Sequence, residues 1–133
     1  MTRKFENGST RLQAGAKKFE EVTGGSAAAF IESFNDVAPD FGAYILEWEF
    51  GDLYNRPGLD LRTREIVIIA SCATLGSVGF GALKMHIASA LKAGVTRQEI
   101  IEILMQLSFS AGLPTAIGAL GVAREAFEEV DVA

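Results

Sequence analysis

Residues 61–75, LRTREIVIIASCATL, decide between two fold classes. The run Val67-Ile68-Ile69 suits a buried strand, and a strand here would make the chain a mixed α/β protein. The apolar pattern continues, however, through an alanine-rich segment to Leu75, well past the length of an ordinary strand. Asp60 stands just ahead of it as an N-cap, where a carboxylate accepts from a free backbone N–H. Pro57-Gly58 marks a turn before that. The stretch reads as a helix. It is apolar on nearly every side after Glu65, which predicts a central, buried element.

The same periodicity extends outward in both directions. Upstream, residues 9–22 (STRLQAGAKKFEEV) form a first helix closed by Thr23-Gly24-Gly25, where glycine supplies the left-handed geometry of a helix end. Ser26 caps AAAFIESFNDV, and Pro39 suits the first turn of a third helix carrying Tyr44, Ile45 and Trp48. Downstream, GSVGFGA (76–82) punctuates the chain before ALKMHIASALKAG (82–94), a helix stopped by Gly94. Thr96-Arg97-Gln98-Glu99 has the capping-box form, and Ile100, Ile103, Leu104 and Leu107 follow on one stripe. Ala111-Gly112-Leu113-Pro114 breaks that helix. TAIGALGVAREAFEEV makes the last one, with Gly118, Ala119, Gly121 and Ala123 small enough for close helix packing. The reading is all-α: six or seven helices in a single domain over residues 1–133.

Composition narrows the function. Apolar residues are 49% of the chain, as in globular proteins, and 17 acidic against 12 basic residues leave a net charge of −5. That charge and the lack of a basic cluster argue against nucleic acid as partner. No apolar run is long enough to span a membrane, and the start MTRKFENGST is unlike a signal peptide. With one cysteine, Cys72, and one histidine, His86, neither an internal disulfide nor a zinc site of the usual composition is expected. A cytoplasmic location fits that cysteine usage. So much apolar helix in a short chain also predicts a subunit partner to cover the excess.

His86 admits two readings from its residues alone. It shares a helix face with Ala82, Leu83, Ser89 and Ala90, which suits a buried neutral imidazole held by a carbonyl or hydroxyl. The same small neighbours leave room for a ligand, and an unperturbed imidazole pKa of about 6.5 suits proton transfer near neutrality. Periodicity does not separate the two.

Longer segments carry more. FGDLYNRPGLDLRTREIVIIA (50–70) and ALKMHIASALKAGVTRQEIIEILMQLSFSAGLPTAIGAL (82–120), with RLQAG and AREAFEEV outside them, resemble the carboxymuconolactone decarboxylase family over roughly residues 11–130. The matching pieces occur in order: R-P-G-L before a T-R helix, a histidine ahead of G-V-T, an acidic residue three after that threonine, then M-Q and A-G-x-P. The resemblance implies an alkyl hydroperoxidase D-like helical fold that assembles as a homo-oligomeric ring, a trimer or hexamer. It implies decarboxylation, with no metal or organic cofactor, of 4-carboxymuconolactone or a related lactone acid.

The family's proton-transfer histidine falls on His86, and Glu65 matches an acid that forms a relay with it. Arg56 and Arg64 are then the candidate carboxylate clamps, since a guanidinium fork fits a carboxylate. Arg62 and Arg64 stand near a helix N-terminus, where the dipole disfavours a cation, so each needs a further reason to be there. Trp48 and Phe80 are candidates for the edge of a larger or less polar pocket, and Tyr54 and Phe109 for its wall or for plain core. The related thiol peroxidases keep a C-x-x-C pair where this chain has Gly79 and Ala82, so disulfide-based peroxidase chemistry is not expected. The interval of 21 residues from Glu65 to His86 exceeds the family's usual spacing. That departure leaves two alternatives standing: another cofactor-independent lyase or isomerase acting on a bulkier acid, or a non-catalytic oligomer that binds a small molecule.

Overall fold

Residues 61–74 are helical, so the β-branched run belongs to a helix and the fold is all-α. The computed structural model describes residues 10–133, which divide into two units, 10–59 and 60–133. Among the described residues there are seven α-helices, one π-helical segment and one 3-10 turn, and no strand.

The first unit holds α1 (Thr10–Thr23), α2 (Ala27–Glu32) and α3 (Phe41–Ile45), which runs on as a π-helix over Leu46–Leu53. Gly24 takes φ 74° after α1, the left-handed stop its sequence foretells. Ser26 caps α2 by accepting from Ala29 N–H, but α2 ends at Glu32 and irregular turns carry the chain on to α3. Pro39 lies just outside α3 rather than in its first turn. A chain of ring contacts runs from Phe41 at the surface through Phe34, Phe30 and Phe19 to Phe50 and Tyr54, with centroids 4.8–5.4 Å apart, and the last three rings are buried. Tyr54 stacks on Phe50 with 6° between the planes and is therefore core.

The π-helix is where α1 crosses most closely. A Cβ on Gly15 would fall 1.9 Å from the Leu46 carbonyl oxygen, and one on Gly51 would fall 2.9 Å from that of Arg11. Two glycines thus let two backbones touch. Arg11 ties the same crossing with a bidentate bond to Asp52 (3.2 and 2.7 Å) and lies 3.6 Å from the buried Glu47. At the far end, Tyr54 N–H donates to Glu49 five residues back, and Asn55 Nδ2 donates to the carbonyls of Phe50 and Gly51.

The second unit holds α4 (Leu61–Thr74), a 3-10 turn (Gly76–Gly79), α5 (Phe80–Lys92), α6 (Arg97–Ser110) and α7 (Leu113–Val132). Asp60 caps α4 by accepting from Thr63 N–H at 2.7 Å, and hydrogen bonds with the Thr63 side chain and with this N–H lower the pKa of its carboxyl. The capping box of Thr96 and Glu99 is complete, each side chain meeting the other's N–H at 3.0 Å. Pro114 does not interrupt a helix; it sits in the first turn of α7, where its missing N–H costs nothing. Ile69, Leu83, Ile87, Ile100, Leu104, Ala119 and Ala123 form the core. Contrary to the expectation of a helix buried on all sides, α4 buries only Glu65, Ile69 and Ala73, while Val67 is 51% exposed.

Candidate active site

The least expected residue inside the second core is an acid. Glu65 has no exposed surface, and His86 retains only 4%. Glu65 is one turn before Ile69 on the inner stripe of α4, and His86 lies between Leu83 and Ile87 on the inner face of α5. Packing of α4 on α5 therefore brings the two polar groups together: His86 Nδ1 stands 2.9 Å from Glu65 Oε2. With Glu65 ionised only a protonated Nδ1 makes this bond, so Nε2 is the ring position left to exchange a proton. Few solvent dipoles are present to screen the pair, which strengthens the interaction. Ser89, also buried, donates back to the Met85 carbonyl at 3.3 Å and so is occupied within its own helix.

The other candidates are distributed over both units. In the first, Trp48 is 62% exposed on the π-helix and Arg56 is exposed in the turn that follows. In the second, Arg64 is half-buried on α4 beside Glu65. Phe80 opens α5, half-buried against the core, with its ring edge over α7 where a Cβ on Gly118 would come within 2.9 Å. Phe109 is not core, being 91% exposed at the end of α6. Glu47 escaped the sequence reading; an acid inside the apolar run ILEWEF was its only signal, and it is 5% exposed.

Arg62 has the reason its position demanded. Its guanidinium bonds the carboxylate of Glu99, which completes the capping box of α6. That hydrogen bond, together with those to Thr96, pulls the Glu99 carboxyl down to about 2. A carboxyl so depressed contributes stability above its unfolded value of about 4.3, and the contribution is lost as pH falls through the folded value. Unfolding midpoints of the parent and Glu99→Gln are therefore expected to differ at neutral pH. They should converge on acidification toward the folded value.

The positions that hold thiols in the related peroxidases are also accounted for. Gly79 is buried in the 3-10 turn, where a Cβ would stand 2.1 Å from the Cys72 carbonyl oxygen, and Ala82 is exposed. Cys72, half-buried, is on α4.

Residues 39–125 match the model of the carboxymuconolactone decarboxylase family. The chain is 35% identical to 4-carboxymuconolactone decarboxylase of Acinetobacter baylyi over 77% of its length and 75% of that protein. It is likewise 35% identical to an uncharacterized 15.0 kDa protein of Paracoccus denitrificans, over 76% of this chain and 75% of the other. It is 29% identical to nitrosuccinic acid decarboxylase npaB of Metarhizium robertsii, over 65% of this chain and 59% of that one. No helix among the described residues is long and apolar enough to cross a membrane.

Proposed function

The chain belongs to the carboxymuconolactone decarboxylase family, and from that premise we propose that it decarboxylates 4-carboxymuconolactone or a related lactone acid. The observation that carries the reading is the buried 2.9 Å contact between Glu65 and His86. The C–C bond to the departing carboxylate breaks, CO2 leaves, and the electron pair delocalises through the unsaturated lactone onto its carbonyl oxygen. The substrate is its own electron sink, so no metal or organic cofactor has a step to perform. Protonated His86 donates from Nε2 to carbon, and Glu65 stabilises the imidazolium before the transfer and fixes its tautomer. Arg64, beside Glu65 on α4, holds a carboxylate of the acid, and Phe80 at the start of α5 sets how bulky an acid is accepted. The working assembly is a cytoplasmic homo-oligomer.

Ultraviolet monitoring of purified protein with 4-carboxymuconolactone tests this directly. Turnover supports the proposal, and its absence removes that substrate. A different acid decarboxylated on the same pair is the second reading, favoured by the likeness to a decarboxylase named for nitrosuccinic acid. A third reading, a non-catalytic oligomer, draws on the burial of His86; it requires that no acid of either class be turned over.

Self-association has its own support in the second unit. Met105 and Phe109 are one turn apart on α6, Leu113 and Ile117 one turn apart on α7, and they are 44, 91, 61 and 61% exposed. An apolar stripe of this kind is ordinarily covered by another chain. The expected result is a trimer or hexamer by light scattering, reduced to smaller species by Phe109→Glu.

A further inference from the structure

Arg62, Glu65, Ile69 and Ala73 lie on one stripe of α4, running from half-buried at Arg62 to fully buried from Glu65 onward. The inner three are packed. Arg62 is the outer end, one turn before the acid, and its guanidinium crosses to Glu99 in the first turn of α6. Glu99 is itself fixed, because its other carboxylate oxygen accepts from Thr96 N–H at 3.0 Å and its own N–H donates to Thr96 Oγ1. The arginine is thus bonded to a rigid capping box rather than to a free side chain.

From this arrangement we propose that Arg62 is a positioning residue for the Glu65–His86 pair, acting through the Arg62–Glu99 tie between α4 and α6; the inference rests on the proton-transfer reading of that pair. The physical need is specific. A hydrogen bond between two buried groups tolerates little misplacement, and a shift of about 1 Å in a positioned group can cost about a hundredfold in rate. Glu65 lies only four residues from the start of α4. Helix ends fray, and the first turn lacks intrahelical partners for its N–H groups. Asp60 holds that turn along the helix axis, by accepting from Thr63. Arg62 holds it sideways, against α6. The tie also commits the Arg62 cation to Glu99.

The chain has a single histidine, so its imidazole nitrogens give one unambiguous pair of NMR signals. In the parent, the neutral ring is expected to show protonated Nδ1. In Arg62→Ala the ring signals should move toward the tautomer mixture of free imidazole, and kcat should fall between about tenfold and a hundredfold with KM less affected. The charge-swapped pair Arg62→Glu with Glu99→Arg should recover both. Unchanged ring signals and kcat in a folded Arg62→Ala protein overturn the proposal, whatever happens to its melting temperature. Should that variant not fold, Arg62→Lys is read by the same criteria, since lysine keeps the charge but not the fork. If the parent turns over no acid of either class, the decarboxylase reading fails, while the ring signals still decide whether the tie positions the pair.

Discussion

His86→Ala is expected to lower kcat by about a hundredfold to ten-thousandfold, the usual contribution of a positioned general acid. Circular dichroism should show the helices retained. The effect should fall on kcat rather than KM, because in the proposed reaction the imidazole acts on the charge that develops as CO2 leaves. Glu65→Gln is the informative companion. A glutamine oxygen still accepts from Nδ1, so the ring stays oriented, but the negative charge that stabilises imidazolium is gone. A loss of rate in Glu65→Gln without loss of fold assigns the acid an electrostatic role. Equal turnover by the parent and His86→Ala would remove the proton-transfer role altogether.

The largest effect on stability is expected from a residue in the other unit. Gly15→Ala places a methyl group 1.9 Å from the Leu46 carbonyl oxygen and 2.6 Å from its carbon. Both are backbone atoms, so no rotamer change relieves the overlap; α1 and the π-helix must move apart. Overpacking of a well-filled site costs about 1–3 kcal/mol, which at this chain length lowers Tm by roughly 5–15 °C. Separation would also strain the Arg11–Asp52 bond that ties the same crossing. Thermal unfolding followed by circular dichroism measures it. A melting temperature within a degree of the parent would show that the close crossing carries little energy.

These two sites differ in how legible they were. Helix was readable over residues 61–74 because the length of the apolar run outweighed the β-branched preference of Val67-Ile68-Ile69. The Thr96–Glu99 cap was readable because its chemistry is local. Burial around α4 was not: an apolar surface destined for the core and one left exposed at 51% on Val67 carry the same residue types. The pairing of Glu65 with His86 needed contact between two helices 21 residues apart, and only the family resemblance pointed to it. The π-helix over LEWEFGDL left no signature, because the close passage of Gly15 at Leu46 comes from a different part of the chain. Glu47 was missed for the same reason, its burial being set by packing rather than by its neighbours in sequence.

The tight turn at Gly79 bears on which chemistries this scaffold can reach by mutation. The thiol peroxidases that the sequence resembles keep the first thiol of their redox pair at this position. Here a Cβ would arrive 2.1 Å from the Cys72 carbonyl oxygen, inside the backbone of the preceding helix. The second position, Ala82, is exposed and open to substitution. A thiol at position 79 would therefore require the 3-10 turn to be rebuilt. The path of the backbone at this turn thus depends on the lack of a side chain at Gly79.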